Sequence, residues 1–359
     1  MKIIESFIKN ELLKILIFFN PIKRQTPLPH FNKNSNLLFI RLNRIGDALV
    51  TTPLMHEIKN QIGCKVFVLA DKKNHFVFRN NPAIDNVIIF EKGFRGLFKI
   101  NKLIKDNKID AVIDLHDDVS TTVSFLIVLS NVKYKFALRK SNFTIYTHLV
   151  DRLDPIQNHV IDRILNITKL FNIKFKKEEI CVKYYPTENE NRIANEQIQK
   201  MNFSNKFLIG INISAGSRAR FWGLDNYKSL LKELSGYDVH IIIFCSENDI
   251  VLANQIADKK YIYPITKEFG IFAAAIMKLD FLITPDTSVV HIASIKKIPI
   301  FGLYVKYNTD DMIWSPYNCD FEAVVTHEPT LENMSFKEVK IKLIPFLENH
   351  LNVKSNSLL

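Results

Sequence analysis

Short runs of apolar, β-branched residues alternate with helical patterns along most of this chain, and this alternation restricts its fold more than any other feature. In the first half, the predicted strands are Leu37–Ile40, Val66–Ala70, Val87–Phe90, Ala111–Leu115 and Tyr134–Ala137. In the second half, they are Phe207–Ile213, Val239–Phe244, Tyr261–Pro264, Phe281–Ile283 and Ile298–Leu303. Near-continuous apolar strands separated by helices indicate parallel sheets covered on both faces. The predicted fold class is α/β, with two doubly wound domains facing each other across a cleft.

A polar stretch from Lys174 to Asn205, interrupted by Pro186, separates the two halves. The chain has 359 residues, of which 47% are hydrophobic, so each half can bury a core of its own. The predicted division is an N-terminal amphipathic extension (1–35), a first domain (36–185), a second domain (186–330) and a C-terminal helix and tail (331–359). Doubly wound sheets bind ligands beyond the carboxyl ends of their strands, so functional residues are expected in those loops.

The chain is strongly basic, with a formal net charge of +11. This charge suggests a polyanionic partner, such as a nucleic acid, an anionic membrane surface or a phosphorylated substrate. The alternative is that it only reflects a composition rich in Lys, Asn and Ile. No nucleic-acid-binding signature accompanies the charge, so no nucleic-acid partner is expected. The spacing of the cysteines predicts neither a metal site nor a redox pair and favours a reducing, cytoplasmic compartment; they are Cys64, Cys181, Cys245 and Cys319.

The N-terminal segment is amphipathic, but it contains no run of about 20 apolar residues, which a membrane span requires. Charged residues, such as Glu5 and Lys9, also interrupt any signal-peptide core. Apolar residues recur at helical spacing, followed by a basic pair; they are Ile4, Phe7, Ile8, Leu12, Ile15 and Phe19, then Lys23 and Arg24. The pattern predicts a helix that either lies on a membrane surface or packs on its own domain.

The loop after the first strand carries a lone carboxylate, Asp47, in "FIRLNRIGDALVTTP". A helix-cap carboxylate is common and contributes about 1 kcal/mol, and a general base beyond the end of a strand is the functional alternative. The one glycine of this loop is too few for a dinucleotide-binding fingerprint. Thr52 and Pro53 predict that the helix restarts or kinks there.

Two loops of the second half have the composition of anion-binding turns. In "INISAGSRARFWGLDNYK", small residues allow backbone amides to approach an anion that Arg218 and Arg220 neutralise. In "FLITPDTSVVHIASIKK", the chain turns through Asp286 into a helix whose first amides are free to bind anions. His291 lies one turn further and, taken alone, is more often a structural histidine than a catalyst. Two anion loops in one domain suggest a diphosphate ligand, and the carboxylate across the cleft suggests a general base.

Three segments, "IRLNRIGDALVTTPLMHEIK", "SAGSRARFWGLDNYKSLL" and "TPDTSVVHIASIKKIPIFGLY", resemble glycosyltransferase family 9 in their order and separation. The resemblance covers about residues 36–345, and the family comprises the ADP-heptose:lipopolysaccharide heptosyltransferases. It implies a GT-B fold of two Rossmann-like domains and inverting transfer of a heptose to an inner-core sugar. ADP-heptose is then a substrate, and neither a cofactor nor a metal ion is expected. The enzyme is expected in the cytoplasm, peripheral on the inner face of the inner membrane.

Carried over residue by residue, the resemblance makes Asp47 the general base and Gly46 the residue that lets its loop approach the sugars. The donor-binding set that we predict is Gly216, Ser217, Arg220, Glu247, Asp286, Thr287, Ser288, Val289 and His291. Arg220 and the Asp286–Val289 turn correspond to the diphosphate site, and Glu247 to the ribose site. Ser288 stands where the family often has Gly and can narrow the phosphate site. Asn43 and Arg44 replace small hydroxyl residues of some members and can change which acceptor fits.

The predicted acceptor-binding residues are Arg41, Asn43, Arg44, Gly46, Lys92, Arg95 and Lys99. The last three begin a basic stripe that continues through Lys102, Lys105 and Lys108 beside an apolar one. This stripe is either a solvated helix face or a surface for anionic core sugars and the anionic membrane leaflet. The acidic segment Asp114–Asp118 is predicted to be a polar loop. Alternatives to heptosyl transfer are another GT-B nucleotide-sugar enzyme, with a different donor or epimerase activity, and a basic nucleic-acid-binding protein.

Overall fold

The structure, a computed structural model, describes residues 11–18, 22, 27–201 and 206–357. The predicted amphipathic residues Ile4, Phe7, Ile8, Phe19, Lys23 and Arg24 lie outside the described residues. The chain divides into two compact units between Lys183 and Tyr184, close to the boundary expected from the polar stretch. None of the helices in the described residues is both long and apolar enough to cross a bilayer.

The first unit is built on a parallel sheet. Its strands are β1 (Asn36–Arg41), β2 (Lys65–Ala70), β3 (Asn86–Ile89), β4 (Ala111–Asp114), β5 (Tyr134–Leu138) and β6 (His148–Val150). Their order is β3-β2-β1-β4-β5-β6, and every neighbouring pair is parallel. Chain order reverses between β1 and β4, so the loops beyond these two strands form the topological switch point, where doubly wound sheets bind ligands.

Helices cover both faces of this sheet. They are α1 (residues 11–18), α2 (Ile45–Leu49), α3 (Thr52–Ile62), α4 (Phe94–Asp106), α5 (Thr121–Leu129) and α6 (Val160–Leu165). Short 3-10 turns occur at His75–Val77, Phe143–Ile145, Asn166–Phe171 and Lys177–Glu179. The helix restart predicted near Thr52 is present, with Thr51 in the N-cap position and Pro53 in the first turn of α3. Pro is tolerated there because the first helical amides have no intrahelical partner.

The second unit contains another parallel sheet, in the order β11-β10-β9-β7-β8. Its strands are β7 (Phe207–Asn212), β8 (Val239–Phe244), β9 (Phe281–Pro285), β10 (Ile300–Val305) and β11 (Phe321–Thr326). Its helices are α7 (Glu188–Lys200), α8 (Leu224–Leu234), α9 (Ile250–Ile256), α10 (Phe269–Ile276), α11 (Ser288–Ser294) and α12 (Phe336–Ser357). Short 3-10 turns occur at Arg218–Arg220, Glu247–Asp249, Lys259–Tyr261 and Leu331–Asn333.

The structure corrects the strand predictions in two places. The predicted strand Tyr261–Pro264 is wrong, because only an isolated bridge between Ile243 and Ile262 forms there. The edge strands β6 and β11 were not predicted. The segment 331–359, set apart as a C-terminal helix and tail, contributes buried side chains of α12 to the second unit's core: Val339, Leu343 and Leu347.

Candidate functional site

Asp47 lies in the first turn of α2, just beyond the carboxyl end of β1. Its Oδ1 atom accepts hydrogen bonds from Arg41 Nη2 at 2.9 Å and Asn43 Nδ2 at 3.4 Å. Among the described residues, neither carboxylate oxygen accepts from an amide of α2, and Oδ2 accepts no hydrogen bond. The side chain is 18% exposed. Asp47 therefore does not cap the helix; one oxygen is fixed and the other is open, as a proton acceptor requires.

Arg41 is the main orienting partner of Asp47. Its side chain is 1% exposed, and its Nε donates to the backbone carbonyl of Asp47 at 3.0 Å. Its Nη1 donates to the carbonyl of Leu115, which follows the neighbouring strand β4. Burial lowers the pKa of Arg41, although Asp47 and Asp114 oppose this shift. The guanidinium of Arg41 is enclosed and engaged with the loop that carries Asp47, and its contact with an acceptor stays a prediction.

The other predicted acceptor residues lie in the loops around this switch point or on α4. Asn43 and Arg44 are exposed, and Gly46 lies in the first turn of α2. Lys92, also exposed, follows β3, and β3 itself lies two strands, or about 10 Å, from β1. On α4, Arg95 is exposed and Lys99 forms an ion pair with Glu91 at 2.6 Å. Contact of these residues with an acceptor stays a prediction.

A buried cluster of polar side chains, which sequence reasoning missed, lies beside the Asp47 loop. We call it the Asp114 cluster; its members are Asp114, His116, Lys140 and Tyr146. Asp114 Oδ2 accepts from Lys140 Nζ at 2.7 Å and Tyr146 OH at 2.6 Å, and Oδ1 lies 2.7 Å from His116 Nδ1. Burial opposes the ionisation of Asp114, but Lys140 and His116 outweigh it and hold its pKa well below the usual range. The prediction of a polar loop is therefore wrong for Asp114 and His116. The sequence did contain a signal for the cluster, because a carboxylate stands at the end of an apolar strand. A charge buried at such a position requires cationic or hydrogen-bonding partners.

No group of three or more His, Cys, Asp or Glu side chains is arranged to hold a metal ion within the described ranges. The acidic loop residue Asp117 is engaged instead by Arg152 at 2.9 Å and Arg163 at 3.0 Å. All of the cysteines are free thiols. Metal-independent catalysis stays a prediction.

In the second unit, the structure brings together two of the predicted donor loops. Arg220 Nη1 donates to the backbone carbonyl of Asp286 at 2.8 Å, and Nη2 lies 3.4 Å from Asp286 Oδ2. Asn212, at the end of β7, donates to the hydroxyls of Thr284 at 2.9 Å and Thr287 at 3.4 Å. A guanidinium therefore lies against the turn after β9, and that turn is hydrogen-bonded to the neighbouring strand β7.

The remaining residues of this turn differ in accessibility. The Thr287 hydroxyl caps α11 by accepting from the Val289 amide at 3.2 Å, and Ser288 is half-buried. The side chain of Val289 is buried, so its backbone is the part that faces the turn. His291 is 2% exposed and its ring lies 6.4 Å from that of Trp314. His291 thus lies in the interior, as expected of a structural histidine. Its contact with a donor stays a prediction.

The loops after β7 and β8 hold the other predicted donor residues. Gly216 and Ser217 are exposed, and a Cβ at Gly216 would meet nothing within 4 Å. Glu247 is exposed, and its carboxylate accepts no hydrogen bond from the described residues. Sequence reasoning missed Asp249, which accepts from the hydroxyls of Ser214 and Ser246 and so joins the two loops.

The family model "Glycosyltransferase family 9 (heptosyltransferase)" matches residues 97–342. The chain belongs to glycosyltransferase family 9. It is similar to the lipopolysaccharide core heptosyltransferase OpsX of Haemophilus influenzae, with 21% identity over 294 residues, which are 79% of this chain and 82% of that protein. The resemblance to glycosyltransferase family 9 is thereby confirmed, and the chain is a glycosyltransferase.

Solved structures agree on the fold. A glycosyl transferase family 9 protein from Veillonella parvula superposes with a TM-score of 0.75 at 20% identity, over 90% of this chain and all of that one (100%). E. coli heptosyltransferase WaaC with ADP-2-deoxy-2-fluoro heptose has a TM-score of 0.60 at 17% identity, over 88% of this chain and 99% of that one. The predicted GT-B fold is confirmed.

Proposed function

We propose that this glycosyltransferase moves the heptose of ADP-heptose to an inner-core sugar of lipopolysaccharide, with Asp47 as the general base. The observation that carries the proposal is the state of the Asp47 carboxylate: Oδ1 is bound to Arg41 and Oδ2 is open, at the switch point of the first sheet. Family membership supports heptose as the sugar, and the WaaC structure with an ADP-heptose analogue supports the nucleotide.

In the proposed reaction, an acceptor hydroxyl attacks the anomeric carbon from the face opposite the diphosphate. The glycosidic bond forms as the bond from carbon to the leaving phosphate oxygen breaks, so the configuration inverts. Asp47 Oδ2 takes the hydroxyl proton, and the electron pair of the broken bond leaves with ADP. Arg220 and the turn over Asp286–Ser288 stabilise the charge that develops on the diphosphate. Because these groups neutralise that charge, we propose that no metal ion is needed.

Charge also supports an anionic acceptor. Arg44, Lys92 and Arg95 are exposed in the first unit and have no ion-pair partner among the described residues. Arginine and lysine side chains of this kind bind phosphate and carboxylate groups. An inner-core sugar that carries such groups is the acceptor class that we propose.

The function is tested by incubating the purified enzyme with an inner-core acceptor and one sugar nucleotide at a time. We expect release of ADP and an acceptor heavier by one heptose with ADP-heptose, and no transfer from UDP- or GDP-activated sugars. Lipopolysaccharide from cells without this protein should lack the same residue in mass spectra. Transfer of another sugar, or conversion of a sugar nucleotide without acceptor, would instead support the alternative GT-B activities.

We also propose that the enzyme acts in the cytoplasm, on the inner face of the inner membrane. The exposed side of α4 carries Phe98, which is 75% exposed, among Lys99, Lys102 and Lys105. In α1, Leu13, Leu16 and Ile17 pack against the core of the first unit, whereas Ile15 and Phe18 are 53% and 79% exposed. Aromatic side chains among cations suit the headgroup region of an anionic bilayer.

Reversing Lys99, Lys102 and Lys105 to Glu is expected to abolish binding to anionic vesicles at low salt. Each cation near such a surface contributes about 1 kcal/mol, and each reversal replaces attraction with repulsion. The apparent KM for a lipid-bearing acceptor should rise more than that for a delipidated one. Vesicle sedimentation and initial rates measure the two effects, and ADP affinity should not change.

The matched control reverses Lys228, Lys232 and Lys337, exposed lysines of the second unit, and changes the net charge equally. The control should bind vesicles nearly as the wild type does. Equal loss in both variants would show that net charge alone attracts the protein. Unchanged binding by the α4 variant would show that the basic stripe is only a solvated helix face. The membrane contact would then be assigned to α1.

A further inference from the structure

The loop that leads to Asp47 is hydrogen-bonded on both sides by the loops that follow the two strands flanking β1. After β2, Asn74 Nδ2 donates to the carbonyls of Arg41 at 3.1 Å and Asn43 at 2.9 Å. After β4, His116 Nε2 accepts from the amide of Leu42 at 3.2 Å. Hydrogen bonds within the first unit therefore fix the backbone that presents the open carboxylate oxygen.

The imidazole of His116 is itself oriented by the Asp114 cluster. The Leu42 amide can only donate and the Asp114 carboxylate can only accept, so Nδ1 carries the proton and Nε2 is the acceptor. Burial lowers the pKa of His116, although Asp114 opposes this shift, and the neutral ring is the form that can accept from Leu42. The ring is nearly fully enclosed, with 2% of the side chain exposed. Its contact to Leu42 is thus set by Asp114, whose other oxygen is occupied by Lys140 and Tyr146.

We propose that His116 is a positioning residue for the glycosyl transfer, oriented by Asp114 and acting on Asp47 through the amide of Leu42. This inference rests on the proposed role of Asp47 as the base. Without the Nε2 acceptor, the amide of Leu42 loses its hydrogen-bond partner. The loop then lowers its free energy by shifting towards another acceptor. Such a shift moves Arg41 and Asp47 together, and a displacement of about 1 Å in a reacting group lowers turnover about 100-fold.

Two substitutions separate the two contacts of the ring. In His116→Asn, the side-chain amide lies near the position of Nδ1, so it can still bind Asp114 but offers Leu42 no acceptor. We expect kcat to fall about 10- to 100-fold, with the ADP dissociation constant unchanged. In His116→Gln, Oε1 lies near the position of Nε2 and can accept from Leu42. This variant should recover most of the turnover.

The matched control is His148→Asn, which alters another buried histidine of the same sheet, on the edge strand β6. It should lower the unfolding temperature comparably and leave turnover near that of the wild type. In an Asp47→Asn background, His116→Asn should lower turnover no further, because both changes act on one step.

Additive losses in the double variant, or equal loss of turnover in the His148 control, would assign His116 to stability alone and overturn the inference. If Asp47→Asn itself kept full turnover, the proposed base would be wrong and the inference would fall with it. Should His116→Asn not fold, a folded His116→Gln with less than about one-tenth of wild-type turnover would count against the inference.

Discussion

Replacing Asp47 with Asn is expected to lower kcat about 100- to 10,000-fold, which is the usual contribution of a general base. The amide has nearly the same shape, and its Oδ1 can still accept from Arg41 Nη2, a bond of 2.9 Å in the wild type. The fold and the loop should therefore persist. The other position becomes an NH₂ group, which cannot take a proton from the acceptor. Initial rates at saturating donor and acceptor measure the effect, and calorimetry should show unchanged ADP binding.

A neighbouring carboxylate provides the matched control. Asp118 follows β4 at the same edge of the sheet, and its side chain is 93% exposed. Asp118→Asn removes an equal charge from the same region, so it should keep turnover within a few-fold of the wild type. If Asp47→Asn also stayed within a few-fold, Asp47 would have no part in proton transfer. If both variants lost turnover equally, the effect would be one of local charge.

The position of Asp47 was predictable because it depends on local pattern, whereas its environment was not. The apolar run, the single glycine and the following amphipathic pattern place Asp47 beyond β1. Arg41 was predicted to bind the acceptor, and nothing in the local pattern indicates that its guanidinium is buried. Its burial comes from the pairing of β1 with β4, which brings the carbonyl of Leu115 to its guanidinium. That pairing joins segments more than seventy residues apart.

The environment of the Asp114 cluster was also not predictable from the local sequence. Asp114 and His116 stand in a segment of polar composition, and their partners Lys140 and Tyr146 follow the next strand. Composition predicts exposure for such a segment. The sheet order instead places it between β1 and β5, where a carboxylate is buried and therefore requires cations and hydroxyls around it.

The strand errors have a related cause. The central strands β1, β4, β7 and β9 are covered on both faces, so their continuous apolar runs were recognisable. The edge strand β6 is three residues long, and β11 is only half-buried and includes Glu322. The segment over Tyr261–Pro264 is apolar enough for a strand, but its chain follows a 3-10 turn and ends in Pro264, which has no amide to donate.

Replacing Arg220 with Ala is expected to weaken ADP binding about 10- to 100-fold, or about 1.5–3 kcal/mol, the usual contribution of hydrogen bonds to charged groups. The guanidinium is 33% exposed and uses Nη1 and Nη2 on Asp286, so its remaining N–H donors are available to a diphosphate. The substitution also removes the cation that faces the carboxylate of Asp286, which then repels the anionic ligand. Calorimetry with ADP measures the affinity.

Arg218→Ala is the matched control, since it removes an identical side chain from the same 3-10 turn. The Arg218 guanidinium lies 5.6 Å from the Phe221 ring centroid, and no hydrogen bond joins it to the Asp286 turn among the described residues. We expect its loss to weaken ADP binding much less than that of Arg220. Equal losses would show that the loop attracts ADP by general charge, because only a specific diphosphate contact distinguishes the two arginines. Unchanged affinity in Arg220→Ala would remove Arg220 from the donor site and leave the amides of Thr287 and Ser288 as its remaining anion ligands.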